Sequence, residues 1–165
     1  MGVLRRREKA VTPEQFRDLI STLTVRVQDK PLDGQLEIEL NQAIPPGGEI
    51  YESVFGACRG AIEAGWMCKH EAQGIRYGRV IKPGAETHGF SVDVVEMHDL
   101  EGPHHRHPMG EIDMVMPLTP GAQFDGRGAG WVVYAPGSAH RPTVTHGRAL
   151  VLYLLPEGKI EFTGA

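Results

Sequence analysis

Three histidines and one glutamate in the second half of the chain have the types and spacing of a metal-binding set. His105 and His107 are two residues apart, so on a β-strand both side chains project to the same face. Glu111 follows a Pro-Met-Gly break, and its carboxylate can face the same interior if the chain returns there as the next strand. His140 follows a second turn at residues 135–139. Three imidazoles and a carboxylate with open coordination positions suit one divalent transition metal, namely iron, manganese, zinc, nickel or copper.

The alternative for an isolated His-x-His pair is a solvated turn, and the later glutamate and histidine favour the metal site over it. The chain has eight histidines, and six of them lie between residues 98 and 146. Five histidines have no partner at metal-ligand spacing and are expected to be exposed or hydrogen-bonded; they are His70, His88, His98, His104 and His146.

The first 70 residues have a helical pattern. Thr12 to Gln15 form a capping box with proline at the first helical position, and apolar residues follow at helical spacing. Two further helices are predicted at about 35–44 and 49–64, separated by a Pro-Pro-Gly-Gly break.

The pattern changes to a period of two from residue 74 onward. Of the 21 glycines and 12 prolines, 22 lie after residue 70, which argues against a helical bundle. Strands are predicted at 74–81, 90–97, 111–116, 131–134 and 149–155, with turn residues between them. We predict a mainly β protein, an antiparallel barrel at 74–165 with a helical segment at 1–73 packed on it, as a single folded domain.

Composition and charge exclude several classes of protein. A net charge of −4 and a pI near 6.0 do not suit a broad surface for nucleic-acid phosphates. No apolar run follows the basic start of the chain, so we expect neither a signal peptide nor a membrane span. The two cysteines, Cys58 and Cys68, form no disulfide framework and suit a reducing compartment. We expect a cytoplasmic, soluble protein that binds no nucleic acid or membrane, with a homodimer as the default assembly.

The two histidine motifs resemble those of the cupin superfamily. His105-x-His107-x-x-x-Glu111 is similar to its first metal-binding motif, and residues 135–140 are similar to its second, with alanine in place of the usual first proline. Leu118 departs from the pattern, because it stands where the family has a glycine, and a later glycine is expected to form that turn. The resemblance implies a small jelly-roll barrel with an N-terminal helical cap, in which the three histidines and the glutamate hold one metal ion.

A closer resemblance covers nearly the whole chain. The runs at 65–68, 76–83, 89–95 and 128–134 are similar to a family of small bacterial cupin-like proteins that includes the 4-hydroxylaminobenzoate lyases of nitroaromatic catabolism. It implies conversion of 4-hydroxylaminobenzoate to 3,4-dihydroxybenzoate (protocatechuate) with release of ammonia. That reaction is redox-neutral, in agreement with a sequence that has no glycine-rich dinucleotide fingerprint.

Two alternatives use the same barrel. One is another metal-dependent cupin enzyme, a dioxygenase or an isomerase acting on a small aromatic acid, and oxygen consumption would separate the dioxygenase from the lyase. The other is a cupin that binds a small molecule without turnover.

A second carboxylate accompanies the predicted ligand Glu111. Strict alternation over 111–116 puts Glu111 and Asp113 on one face of the strand. A carboxylate in an apolar interior has a raised pKa and can act as a general acid or base, so Asp113 and Glu111 are the predicted catalytic pair. The alternative is a bulged strand in which Asp113 pairs with a surface arginine.

An aromatic carboxylate substrate would need a cation and flat apolar walls. Tyr77 and Arg79 share one strand face, and a guanidinium can bind a carboxylate through two hydrogen bonds. The alternative for Arg79 is an ordinary surface arginine. Trp131 is the third predicted substrate-binding residue, although aromatic residues on a barrel strand are more often core.

Overall fold

A computed structural model describes residues 11–165 of the chain. Three helices come first, and the strands follow them. The helices are α1 (Pro13–Val27), α2 (Gly34–Ala43) and α3 (Glu49–Glu63). The strands are β1 (His70–Ala72), β2 (Ile75–Ile81), β3 (Phe90–Glu101), β4 (His105–His107), β5 (Glu111–Pro117), β6 (Gln123–Phe124), β7 (Gly130–Tyr134), β8 (Ser138–His140), β9 (Thr143–Pro156) and β10 (Glu161–Phe162).

Local signals explain where the helices begin. In the capping box of α1, the Gln15 N–H donates to the Thr12 hydroxyl and the Thr12 N–H donates to the Gln15 side chain. At the start of α2, the Leu36 N–H donates to the Asp33 carboxylate. The first helix begins at the predicted capping box, and the predicted bounds of α2 and α3 are confirmed to within one residue. Among the described helices, none has the length and apolar content to cross a membrane.

The strands form two antiparallel sheets. The larger has the order β1-β2-β3-β9-β5-β7, with β6 also paired to β9, and the smaller has the order β10-β4-β8. Residues from both sheets line one cavity, so the sheets face each other. The predicted fold class, mainly β with an N-terminal helical part, is confirmed.

The larger sheet is covered on both faces. Its outer face packs against the helices through residues such as Val94, Met114 and Leu152. Its inner face contributes Val115 and Val151 to a second buried cluster between the sheets. Because both faces are buried, the central strands are nearly continuous apolar runs, as in other sheets with two covered faces.

All five predicted strands are present, and β3 and β9 extend beyond their predicted bounds. Their extra residues are largely exposed and polar, so the apolar period does not continue into them. The predicted strands do not include five short ones, β1, β4, β6, β8 and β10, because two or three residues carry too little periodicity. β1 pairs with β2 and starts at His70, before the boundary predicted at residue 74. The division at residue 73 stays a prediction.

Helix α2 closes the exposed edge of β7 with side chains instead of another strand. The Asn41 side chain accepts a hydrogen bond from the Trp131 N–H and donates to the Trp131 carbonyl, both at 2.9 Å. The Val133 N–H donates to the Glu37 carboxylate at 3.0 Å. These contacts satisfy backbone groups that would otherwise be left open at a sheet edge.

We predict that Asn41→Ala destabilises the fold by about 1–2 kcal/mol. The substitution leaves a half-buried N–H and a carbonyl of β7 without partners, which outweighs the better helix propensity of alanine. Urea unfolding of the two proteins measures the difference.

The matched control is Gln42→Ala, an exposed position on the same helix. We expect a change within roughly 0.5 kcal/mol there. Equal effects of the two substitutions would contradict the edge-closing role of Asn41.

Candidate metal centre

Strand pairing and one turn bring the predicted ligands together. His105 and His107 lie on β4, and the pairing of β4 with β8 places His140 directly opposite His105. The turn before β5 contains Gly110, which has a φ of +87° and leaves no room for a side chain, because a Cβ there would lie 2.8 Å from the Tyr134 carbonyl oxygen. That turn returns the chain so that Glu111 faces the two histidines of β4.

The ligand atoms of these four residues converge. One nitrogen or oxygen from each lies within 4.8 Å of those from the others. His140 Nε2 is 3.1 Å from His105 Nε2, and His107 Nε2 is 3.2 Å from Glu111 Oε2 without hydrogen-bond geometry. His105, His107 and Glu111 are buried, and His140 is half-buried.

The protein alone does not satisfy this cluster, and a metal ion would. Both carboxylate oxygens of Glu111 and Nε2 of His107 are buried without a hydrogen-bond partner among residues 11–165. An unpaired buried carboxylate costs several kcal/mol, and such groups normally pair with a cation. Three imidazole nitrogens and one carboxylate oxygen are the donors that iron, manganese, zinc or nickel accept.

Burial favours the neutral, metal-binding form of His105. It lowers the pKa of His105 to about 4, since burial disfavours the charged ring more than the neighbouring Glu111 favours it. The outer ring nitrogens of two of the histidines have partners: His107 Nδ1 lies 2.9 Å from the Ser138 hydroxyl, and His140 Nδ1 lies 2.6 Å from Asp125 Oδ2. Such contacts orient metal-binding histidines.

Asp113 lies beside Glu111 on the inner face of β5. The strand pairs with β7 and β9 in unbroken register, so there is no bulge that turns Asp113 outward. Its two carboxylate oxygens are buried and have no hydrogen-bond partner in the described part of the chain. Burial, followed by the charge of Glu111, raises the pKa of Asp113 well above its usual range. Burial also raises the pKa of Glu111, but His107, Asp113 and His105 together outweigh it and lower that pKa.

A largely apolar cavity of about 520 Å³ adjoins the cluster. His105 lines it from the smaller sheet, and Tyr77 and Arg79 line it from β2, whereas Asp113 does not border it. The guanidinium is already engaged, because Arg79 Nε and Nη2 donate to Asp93 at 3.0 and 3.2 Å. Nη2 also donates to the Gly158 carbonyl, which leaves Nη1 as the nitrogen without a partner among residues 11–165.

Trp131 lies on the other side of the sheet. Its ring belongs to the core between the larger sheet and the helices, and its indole N–H donates to the Ile44 carbonyl at 2.9 Å. Side chains alternate between the two faces of a strand, and β7 presents its even-numbered residues to the inner face. Trp131 therefore does not line the cavity, contrary to the prediction that it binds the substrate. Tyr134 takes the inward place, with its ring 4.5 Å from that of His140.

Three residues near the cluster were not identified from the sequence. Asp125 was interpreted only as part of an Asp-Gly turn, and Ser138 only as part of a motif. Tyr153 lines the cavity and pairs in register with Asp113, but it stands in an apolar run whose two faces cannot be told apart. The Asp-Gly dipeptide close before His140 was the available signal for Asp125.

Two solved structures of cupin or cupin-like proteins are similar to this chain. An RmlC-like cupin protein from Ralstonia eutropha matches with a TM-score of 0.42 and 11% identity, over 55% of this chain and 60% of that one. A cupin-like protein from Thermotoga maritima matches with a TM-score of 0.34 and 16% identity, over 55% of this chain and 77% of that one.

Sequence comparisons are more specific. The family model described as 4-hydroxylaminobenzoate lyase (PnbB) matches residues 18–162. A 4-hydroxylaminobenzoate lyase of Nocardioides sp. (strain LMS-CY) is 35% identical over 160 residues, covering 92% of this chain and 95% of that protein. One from Pseudomonas putida is 35% identical over 154 residues, covering 83% and 88%. These matches confirm the predicted resemblance: the chain belongs to the 4-hydroxylaminobenzoate lyase family and is an enzyme of the lyase class.

Proposed function

We propose that this chain is a metal-dependent lyase that converts 4-hydroxylaminobenzoate and water to 3,4-dihydroxybenzoate and ammonia. The observation that carries the proposal is the buried cluster of three histidines and Glu111 at the wall of an apolar cavity, next to a second buried carboxylate. The cavity volume of about 520 Å³ lies in the range of small-molecule sites. Membership of the lyase family supports the substrate.

The reaction balances without an external oxidant or reductant. The N–O bond of the hydroxylamine breaks and its oxygen leaves as water, a water oxygen adds to the neighbouring ring carbon, and a second water replaces the nitrogen. One water is consumed overall, and the nitrogen leaves as ammonia. Such chemistry needs a proton at the departing oxygen and controlled access of water to the ring.

His105, His107, His140 and Glu111 would hold the metal ion. When bound, a divalent metal supplies Lewis acidity toward the hydroxylamine oxygen and lowers the pKa of a water molecule. The chain's own contribution is to bury His105, which favours its neutral form, and to place one carboxylate among the three imidazoles without a hydrogen-bond partner in residues 11–165.

Asp113 is the proposed proton reservoir of the site. Burial and the neighbouring Glu111 raise its pKa well above the usual range, which favours the protonated carboxyl group beside that ligand. Tyr153 pairs in register with Asp113 and borders the cavity, and we propose that its hydroxyl group relays that proton to the substrate.

Arg79 is the proposed partner of the substrate carboxylate. Its Nη1 is the guanidinium nitrogen left open by Asp93 and Gly158, and Tyr77, 40% exposed, stands two residues away at the same cavity. The pairing with Asp93 holds the guanidinium in place, so binding would use a preset geometry.

We predict that the purified, metal-loaded protein releases one ammonia per 4-hydroxylaminobenzoate consumed, with protocatechuate as product, at equal rates with and without oxygen. The redox balance above requires no oxygen. Ammonia and protocatechuate are measured together in an anaerobic chamber and in air.

Oxygen consumption in step with product would instead indicate a dioxygenase, and binding without turnover would indicate a cupin that only binds its ligand. Either result would overturn the proposed function.

We predict that His105→Ala or His107→Ala abolishes stoichiometric metal binding. Each removes one of four converging donors, and the loss should exceed the roughly 10–100-fold drop in affinity caused by altering a ligand's hydrogen-bond partner. Metal analysis of the purified variants, with circular dichroism to verify folding, measures it.

His98→Ala is the matched control, because His98 is an exposed imidazole outside the cluster. A full equivalent of metal in either ligand variant would refute the assignment.

We predict that Asp113→Asn lowers kcat by roughly 100-fold or more and changes KM much less. Asparagine keeps the shape of the side chain but holds no transferable carboxyl proton. Steady-state kinetics of both proteins at matched metal content give the two parameters.

Arg79→Lys is the comparison variant, since lysine keeps the positive charge opposite Asp93 but lacks the planar guanidinium that can bind a carboxylate through two hydrogen bonds. It should raise KM more than it lowers kcat. Unchanged kinetics in Asp113→Asn would remove the proton role.

A further inference from the structure

We infer that Asp125 is a positioning residue, which fixes the ring and the tautomer of His140 so that its Nε2 can bind the metal. The inference rests on the proposed metal dependence. Asp125 lies in the turn between β6 and β7, outside both histidine motifs, and its side chain is mostly buried.

The Asp125 carboxylate collects three donors. Oδ2 lies 2.6 Å from His140 Nδ1 and also accepts a hydrogen bond from the Tyr134 hydroxyl. Oδ1 accepts a hydrogen bond from the Thr143 N–H at 2.9 Å. A carboxylate only accepts hydrogen bonds, so the proton of a neutral His140 ring must sit on Nδ1.

That tautomer leaves the lone pair on Nε2, the atom that faces the other ligands. His140 Nε2 lies 3.1 Å from His105 Nε2, among the converging ligand atoms that would hold the metal ion. The Tyr134 ring, held by the same carboxylate, lies 4.5 Å from the His140 ring and limits its rotation. His140 is the most exposed of the four predicted ligands, so fewer packing contacts hold its ring in place.

The geometry of the turn does not explain why residue 125 is an aspartate. Phe124 and Arg127 exchange two backbone hydrogen bonds around Asp125 and Gly126, and both central residues have positive φ, of 50° and 77°. Asn-Gly suits such a turn at least as well as Asp-Gly. The choice of a carboxylate therefore points to the contact with His140.

Asparagine at this position should reverse the tautomer. Its amide oxygen would face the Thr143 N–H, so its NH2 group would face His140 Nδ1 and donate to it. The ring proton would then move to Nε2 and occupy the metal-facing position. A substitution that suits the turn would therefore be harmful to metal binding.

The experiment compares the whole chain with Asp125→Asn and Asp125→Ala. Long-range ¹H–¹⁵N NMR of the metal-free proteins should show His140 protonated at Nδ1 in the wild type and at Nε2 in Asp125→Asn. Competition with a chelator for Zn²⁺ should show a roughly 10–100-fold loss of affinity in Asp125→Asn, at least as large as in Asp125→Ala. Thermal unfolding should show the opposite order, because alanine tolerates positive φ less well than asparagine.

Asp99→Asn is the matched control, since Asp99 also has a positive φ, of 44°, and accepts a backbone N–H, from Gly147. It should leave the Zn²⁺ affinity and the His140 tautomer unchanged. An Nδ1–H tautomer and wild-type affinity in Asp125→Asn would overturn the role of Asp125 while leaving the proposed function intact. A wild-type chain that binds no metal would overturn the proposed function, and the NMR comparison would still decide the tautomer.

Discussion

An unpaired carboxylate at the centre of the protein is the constraint on which the rest of the structure depends. Glu111 is buried, both of its carboxylate oxygens lack a hydrogen-bond partner among residues 11–165, and nitrogens of three imidazoles lie close to it. Such a group is tolerated in a folded protein when a cation compensates it. Three features place donor atoms for one cation at the same point. They are the converging histidines, the outer hydrogen bonds of those histidines and the turn at Gly110.

The polar groups of the interior lie between two apolar clusters. The helices cover the outer face of the larger sheet with one cluster, and apolar residues of the inner face form the second. The inner face then carries a polar row set by strand register, with Arg79, Asp93, Tyr153 and Asp113 in successive neighbouring strands. This row runs from the cavity wall to the buried carboxylates, and it links the proposed substrate anchor with the proposed proton reservoir.

Turns, more than strands, decide where the chemistry lies. Gly110 returns the chain to the histidines, the Asp125 turn supports His140 from behind, and the turn before β8 brings Ser138 to His107. Each turn fixes one group by short-range geometry. The strands then hold these groups in register across the two sheets.

The sequence by itself determined the helices, the five long strands, the four converging residues and the family, because these depend on periodicity, turn chemistry and spacing within short stretches. It could not tell which face of β7 points inward, so Trp131 was predicted to line the cavity and lies in the core instead. Nor could it tell that the Arg79 guanidinium already donates hydrogen bonds to Asp93. Both depend on pairing between strands distant in sequence. The partnership of Asp125 with His140 was likewise decided only by tertiary structure, since side chains 15 residues apart meet only when the loop between them folds back.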